Sequence, residues 1–186
     1  MATEISKRLF TVHDYHRMVD AGILSERDRV ELIRGEVLAM NPMGPRHSAA
    51  VMLALQAMVR IIGDRAIVGV QGSVRLDDYD EPQPDVYLLR PKADYYASRH
   101  ATPADILLII EMADSSLEYD QSVKATLYAE TGVAEYWIAD IRNDRLLAYS
   151  NIRESRYATC RELHRGDTIS PRLLSEIEIG VTDLLP

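Results

Sequence analysis

The sequence predicts an α/β fold in which helices flank a mixed central β-sheet. An unbroken aliphatic run, Ile106 to Ile110, is typical of a central strand covered on both faces. Helical apolar spacing recurs in segments that alternate along the chain with short strands. Alternation of this kind favours an α/β domain over an all-helical or all-β one.

Length and composition predict a single domain over residues 1–186. The chain is 47% hydrophobic and 27% charged, and 186 residues suffice for one core. We expect an N-terminal helix and hairpin at about residues 10–41, a core at about 46–150 and C-terminal strands at about 151–186. The aliphatic run is too short to cross a bilayer, residues 1–10 lack an apolar signal segment, and Cys160 is the single cysteine. These features predict a cytoplasmic protein without internal disulfides.

The N-terminal half contains signals for two helices and a hairpin. Thr11 can cap a helix that ends near Ala21. A turn at Arg34-Gly35 separates two short apolar strands, which predicts a hairpin over residues 30–40. Residues 46–62 are predicted to form a second helix. Its predicted buried face consists of Val51, Leu55, Met58, Val59 and Ile62.

The rest of the chain supplies the predicted central sheet. Alternating apolar residues predict a strand over 68–76, in which Gly69 and Gly72 weaken the strand signal. A short strand at 86–89, a short helix at 93–99 and the central strand at 106–110 follow. A helix from about 115 to 131 stops before Gly132, and a hairpin joins strands at 135–141 and 146–150. Beyond residue 150 the strand signals are weak.

The charge balance argues against a non-specific DNA-binding protein. Twenty-one basic and 29 acidic side chains give a net charge of −8, whereas phosphate neutralisation needs a basic face. The acid is concentrated in residues 111–150, which hold eight acidic and three basic side chains. This local excess indicates either a cation site or a solvated helix face.

Two acidic residues stand out because of where they lie on the predicted strands. Glu111 directly follows the aliphatic run, where a carboxylate is costly unless it meets a cation or several donors. Asp85 follows Pro84 and opens the strand at 86–89. Each alone could be an ordinary strand-end or turn acid. If the two strands pair, both carboxylates could reach one Mg²⁺ ion.

Lys124 and Glu31 are weaker candidates for the same site. Lys124 lies on the helix that follows Glu111, where it could form a surface pair with Asp120 or position water or phosphate at the site. Glu31 alternates with Val30 and Leu32, so it could equally be a solvent-facing strand residue. A role for Glu31 requires the hairpin to approach Asp85 and Glu111.

The histidines gave no metal site from sequence alone. His47 lies one turn before Val51 and is most simply a helix-start or core-edge residue. His13 and His16 are one turn apart, but no nearby acid or cysteine in the sequence supports zinc. A phosphate-binding glycine loop and a Gly-x-Ser-x-Gly nucleophile motif are both missing from the sequence.

Several segments together resemble the Uma-type restriction endonuclease family, a bacterial branch of the PD-(D/E)XK nuclease superfamily. The resemblance covers about residues 10–149. It is carried by His47 and by four segments: ELIRGEV (31–37), QPDVYLL (83–89), LLIIEMADSSLEYD (107–120) and KATLYAETGVAEYWIAD (124–140). It implies a restriction-endonuclease-like core, with the site at one edge of a mixed sheet of four or more strands.

The resemblance also implies a metal-dependent endonuclease that hydrolyses DNA phosphodiester bonds. Its metal ligands map onto Asp85 and Glu111, its hairpin glutamate onto Glu31 and its helix lysine onto Lys124. The superfamily's usual lysine position, two residues after the acid, is Ala113 here. The implied cofactor is Mg²⁺, with Mn²⁺ as a substitute, and the implied partners are DNA and a second copy of the chain in a homodimer. A non-catalytic binding module and a phosphodiesterase for small nucleotides remain alternatives.

Overall fold

A computed structural model describes residues 6–25 and 27–186 of the chain. The N-terminal part contains a helix, a hairpin and a long helix. They are α1 (Val12–Asp20), β1 (Val30–Ile33), β2 (Glu36–Ala39) and α2 (Pro45–Ile62). Thr11 caps α1 as expected, because its hydroxyl accepts a hydrogen bond from the Asp14 N–H. The hairpin turns at Arg34 and Gly35, both of which have positive φ.

A six-stranded mixed sheet forms the centre of the molecule, which confirms the predicted α/β class. Its strands, in spatial order, are β3 (Ile67–Val70), β4 (Val86–Leu89), β5 (Ile106–Ala113), β6 (Glu135–Asp140), β7 (Arg145–Arg153) and β8 (Arg156–His164). Only β5 and β6 are parallel; the other neighbours are antiparallel. The aliphatic run forms β5, which is buried along its whole length. A small antiparallel pair, β9 (Thr168–Ile169) and β10 (Ile179–Gly180), follows β8.

The crossover from β5 to β6 is one helical segment interrupted by a π turn. It starts as α3 (Leu117–Tyr119), continues through a π-helical turn (Asp120–Lys124) and ends as α4 (Ala125–Glu130). The predicted helix at 115–131 is therefore present, but its π turn carried no sequence signal. This segment covers one face of the sheet, where Leu127 and Tyr128 pack with Ile109.

The other face of the sheet packs against α2. Ala50, Ala54 and Met58 of the helix belong to one buried cluster with Leu108 and Ile110 of β5. The predicted face was partly wrong, since Val59 is 55% exposed and Leu55 is only partly buried. Two alanines, Ala50 and Ala54, belong to the buried face, and their small side chains let the helix lie close to the sheet.

The N-terminal hairpin is fixed to the core by a loop from the middle of the chain. Leu32 exchanges two backbone hydrogen bonds with Glu81, and the Gly35 N–H donates to the Tyr79 carbonyl. Buried Val12 and Tyr15 of α1 pack against Leu32. These contacts bring β1 to the edge of the sheet where β4 begins.

Two expected elements differ in the structure. The strand predicted over 68–76 ends at Val70, because Gln71 adopts positive φ and the chain turns away. Gly69 leaves room for the Tyr87 ring, which a Cβ at that position would approach within 2.1 Å. The helix predicted at 93–99 is a series of turns, with positive φ at Tyr95 and Tyr96. Among the described residues, no helix is both long and apolar enough to cross a membrane.

Candidate functional site

Asp85 and Glu111 lie beside each other on paired strands. Strand β4 begins at Val86, which pairs with Ile110 of β5, so Asp85 and Glu111 lie opposite each other at the next position of the antiparallel register. The Asp85 N–H donates a 3.3 Å hydrogen bond to Glu111 Oε2, and both side chains are buried. The structure therefore brings together the two carboxylates that the sequence had singled out.

Lys124, at the end of the π turn, brings its ammonium group to Glu111. Its Nζ lies 2.8 Å from Glu111 Oε1 and 3.7 Å from Glu31 Oε2, and its side chain is 7% exposed. The hydroxyl of Tyr128, four residues later on the helix, donates to Glu111 Oε1 at 3.0 Å. The alternative of a surface pair with Asp120 is wrong, because both Lys124 and Asp120 are buried.

Glu31 is, like Glu111, an acidic neighbour of the Lys124 ammonium. It is 5% exposed, so a solvent-facing position is excluded. The Gln83 N–H donates to Glu31 Oε2 at 3.3 Å, while Leu32, the next residue, is bonded to the backbone of Glu81. The hairpin thus holds Glu31 next to the segment that leads into β4.

His47 is the residue that the sequence analysis undervalued. Its Nε2 lies 2.9 Å from Asp85 Oδ1, although the ring is carried by the first turn of α2. The second Asp85 oxygen, Oδ2, accepts a 2.9 Å hydrogen bond from the Met112 N–H. Both oxygens of Asp85 are therefore oriented by protein donors.

The environment shifts the pKa values of Asp85 and Glu111 in opposite directions. Complete burial raises the pKa of Glu111 well above its usual range, with Lys124 opposing that effect. Burial also tends to raise the pKa of Asp85, but the hydrogen bond and charge of His47 keep the net value below the ordinary one. Asp85 is therefore held as a carboxylate, whereas for Glu111 burial favours the protonated form and the neighbouring Lys124 favours the ionised form.

The pKa values of the neighbouring basic groups are raised, which favours their charged forms. The hydrogen bond to Asp85 raises the pKa of His47. Burial alone would lower the pKa of Lys124, but Glu111, Glu31 and Asp120 outweigh it and raise the pKa above its ordinary value. Lys124 therefore carries its proton at neutral pH, so it can donate hydrogen bonds and cannot act as a base.

These side chains line a cavity of about 370 Å³. Its walls are formed by the segment after β2, the first turn of α2, the starts of β4 and α3, and the π turn. Asp120 lies in the wall and accepts a 2.6 Å hydrogen bond from the Ser116 hydroxyl. A volume of this order falls within the range of small-molecule sites.

The donor chemistry of the cavity suits a hard divalent cation. Glu31, Asp85, Glu111 and Asp120 provide four buried carboxylates and half-buried Asp114 provides a fifth, beside the basic residues Lys124, His47 and Arg29. Each carboxylate oxygen can accept more than one bond, so Asp85 and Glu111 keep acceptor capacity beyond their present partners. Magnesium is commonly held by one or two carboxylates, with water and phosphate oxygens as its other ligands.

Comparison with known proteins identifies the family of the chain. A family profile named Uma2 and described as "Putative restriction endonuclease" matches residues 12–182. The chain belongs to this family. A search of curated proteins finds no match to the sequence.

A solved structure shares the fold. A protein from Anabaena variabilis ATCC 29413, described as a putative nuclease belonging to DUF820, superposes with a TM-score of 0.70 and 14% sequence identity. The likeness covers 94% of this chain and 97% of the other. At this identity it establishes the fold alone.

The resemblance placed the usual superfamily lysine at position 113, which is alanine here, and a different lysine contacts Glu111. Ala113 is almost fully buried in the core beneath α4. Lys124, one helical segment later, provides the ammonium group that contacts Glu111. The lysine that contacts Glu111 therefore lies on the crossover helix, not on β5.

Sequence analysis missed two further residues that line the cavity. The Tyr119 hydroxyl is buried and has no hydrogen-bond partner among residues 6–25 and 27–186. Arg29 is exposed at the cavity, and no described carboxylate lies within ion-pair distance of it. Tyr119 lies within a segment of the family resemblance, but nothing in that segment distinguishes it from a core tyrosine. Arg29 lies in a loop without a pattern.

Four other arginines with identified partners lie away from the cavity. Arg60 pairs with Asp183, and Arg75 pairs with Asp78. Arg65 donates to carbonyls at the end of α2, and Arg90 donates to the Ala104 carbonyl. None of the four lines the cavity, so Arg29 is the arginine placed to meet a ligand there.

Proposed function

We propose that this chain is a Mg²⁺-dependent endonuclease that hydrolyses DNA phosphodiester bonds, with Mn²⁺ as an alternative cofactor. The observation that carries the proposal is the position of Asp85 and Glu111 on paired strands, with the Lys124 ammonium 2.8 Å from Glu111 inside one cavity. Membership of the Uma2 family supports nuclease chemistry in general. The metal and the DNA substrate are our own inferences.

Asp85 and Glu111 would hold the cation. A bound divalent ion would lower the pKa of water and stabilise negative charge on a phosphoryl oxygen. It would also favour ionised Glu111, whose pKa is raised mainly by burial in the metal-free chain. His47 and the Met112 N–H orient Asp85 for this task.

The lysine and its neighbours supply positive charge and hydrogen bonds to the reacting groups. Protonated Lys124 can donate to the attacking water or to a phosphate oxygen. Glu31 positions the ammonium at 3.7 Å and is itself oriented by the Gln83 N–H. Glu31 is therefore a positioning residue in this proposal.

Calorimetric titration of Mg²⁺ and Mn²⁺ tests the metal site. We expect binding to the wild type and its loss in Asp85→Asn and Glu111→Gln, which preserve side-chain shape. Glu118→Gln is the matched control because Glu118 is exposed on α3 and does not line the cavity. Failure of the wild type to bind metal at millimolar concentration, with DNA present, would refute the mechanism.

Plasmid cleavage tests the activity. Lys124→Ala should abolish cleavage, and Glu118→Gln should cleave like the wild type. If Lys124→Ala cleaves normally, the lysine has no part in the reaction. Sedimentation velocity on the same preparations addresses the homodimer, which stays a prediction.

The cavity size favours a phosphodiesterase for small nucleotides as the second candidate. A volume of about 370 Å³ could enclose a nucleotide, and a net charge of −8 is a smaller handicap for a small substrate than for DNA. Hydrolysis of bis(p-nitrophenyl) phosphate without plasmid cleavage would favour this alternative. Plasmid cleavage would favour the endonuclease.

A further inference from the structure

We propose a second metal site, distinct from the acidic cavity, in which His16, Glu81 and His100 bind a transition-metal ion of the Zn²⁺ class. Each of the three offers a ligand atom, and these atoms lie within 4.8 Å of one another. None of the three lines the cavity that holds Asp85 and Glu111. The site would therefore be independent of the proposed nuclease centre.

The three residues are distant in sequence and are brought together by the fold. His16 lies on α1, Glu81 in the loop before β4 and His100 in the loop before β5. The His16 and His100 rings lie with their centroids 5.8 Å apart, and His16 Nε2 is 3.0 Å from both oxygens of Glu81. Sequence analysis considered only the His13–His16 spacing, which could not reveal an acid 65 residues away.

Glu81 is the buried member and the reason to infer a cation. Its side chain is 2% exposed, whereas that of His16 is 45% exposed. Among the described residues, the hydrogen bonds of its carboxylate go only to His16 Nε2. One ring nitrogen cannot direct its proton along both lone-pair directions at once, so a buried carboxylate is left with unused acceptor capacity.

The distances are compatible with ligands of one ion. Zinc binds imidazole nitrogen and carboxylate oxygen at about 2.0–2.2 Å, so two ligand atoms on one ion lie roughly 2.9–3.5 Å apart. The 3.0 Å separation of His16 Nε2 from the Glu81 oxygens already falls in this range. His100 lies on an exposed loop, where a small side-chain adjustment can close the triangle.

The ligand set selects the class of metal. Two imidazoles and one carboxylate are typical of zinc, cobalt or iron sites, whereas Mg²⁺ prefers oxygen ligands. The partial exposure of both histidines leaves a coordination position open to water. A bound ion would join α1 to two loops, one of which is bonded through Glu81 to Leu32 of β1. We therefore infer a stabilising role for the metal.

Titration with Co²⁺ in excess Mg²⁺ tests the site, because Mg²⁺ occupies oxygen-only sites and cobalt reports nitrogen ligands by its visible absorption. We expect one Co²⁺ per wild-type chain to show the visible absorption of an ion with nitrogen ligands. His16→Ala and His100→Ala should weaken binding at least about tenfold. His13→Ala is the matched control, since His13 is exposed one turn earlier on α1 and outside the cluster.

Thermal unfolding with and without Zn²⁺ provides the second measurement. Zinc should raise the Tm of the wild type and of His13→Ala, and should not raise that of His100→Ala. Undiminished Co²⁺ binding in His100→Ala, or no cobalt spectrum in the wild type, would overturn the proposal. The contact between His16 and Glu81 would then be a hydrogen bond without a metal role.

Discussion

Lys124 balances the charge of the buried acids. Its ammonium contacts Glu111 and lies 3.7 Å from Glu31, and all three side chains are almost completely buried. Removing one member of a buried ion pair leaves an uncompensated charge, which costs more than the pair contributes. The lysine is therefore important to folding as well as to the proposed reaction.

Lys124→Met should lower the free energy of unfolding by about 3–5 kcal/mol in the absence of divalent metal. The double variant Lys124→Met/Glu111→Gln should be less destabilised than Lys124→Met alone, because Glu111 no longer adds an unpaired buried charge. Urea denaturation at pH 8 with EDTA measures both. Additive effects of the two substitutions would show that Lys124 and Glu111 do not interact in the folded chain.

Tyr119→Phe should separate activity from stability. The Tyr119 hydroxyl is buried without a partner among the described residues, and burial raises its pKa to about 12, so it remains a donor. Removing an unsatisfied hydroxyl should leave the free energy of unfolding unchanged or raise it by about 1 kcal/mol. If Tyr119 donates to the substrate phosphate, kcat for plasmid cleavage should fall about tenfold or more. Unchanged kcat would exclude a role for this hydroxyl in catalysis.

The π turn is the element that places charged groups in the cavity wall. It spans Asp120–Lys124 and carries both of those side chains into the interior. A π turn within a helix is uncommon and often marks a functional site. It also concentrates acid next to Asp85 and Glu111, which makes the element sensitive to pH.

Stability of the metal-free chain should decrease as pH rises through about 6. Burial raises the pKa of Asp120 from 3.8 to about 6, with Lys124 opposing the shift. The folded state thus keeps this proton to higher pH than the unfolded state. The stabilisation is full below about pH 4 and is lost as Asp120 ionises.

Asp120→Asn should therefore flatten the pH dependence and be more stable than the wild type at pH 8, by about 1–3 kcal/mol. The amide oxygen can still accept the Ser116 hydroxyl. Denaturation curves at pH 4, 6 and 8 in EDTA measure the effect, with Glu118→Gln as the exposed control. A parallel pH profile in Asp120→Asn would contradict the assignment.

Elements with strong local signals could be predicted, and so could the residues attached to them. The run Ile106–Ile110 identified the central strand, and its end identified Glu111. Asp85 followed because its strand was also visible. Glu31 remained open in the sequence, because its burial depends on how a separate hairpin docks against the loop at Glu81.

The wrong predictions arose where tertiary packing decides local structure. The Val68–Leu76 alternation indicated one strand, but the Tyr87 ring occupies the space above Gly69 and the chain turns at Gln71. His47 lies at a helix start, as predicted, but its contact with Asp85, 38 residues away, was not predicted. No local pattern encodes such a contact.

At the scale of the whole molecule, ten of the 21 basic side chains pair with an acidic side chain among the described residues. Twenty-one basic side chains face 29 acidic ones, and many arginines pair with a neighbouring acid or carbonyl. A nuclease of this charge would attract DNA weakly and depend on a few positive groups near its site. Arg29, exposed at the cavity, is the group best placed for this.

Arg29→Ala should weaken DNA binding more than Arg75→Ala, although both substitutions change the net charge equally. Arg75 pairs with Asp78 away from the cavity, which makes it the matched control. A lost phosphate contact should raise KM with little change in kcat, and should reduce the slope of log affinity against log salt by about one. Cleavage kinetics and fluorescence anisotropy over a salt series measure both effects. Equal behaviour of the two variants would mean that net charge, rather than a contact at the cavity, governs DNA binding.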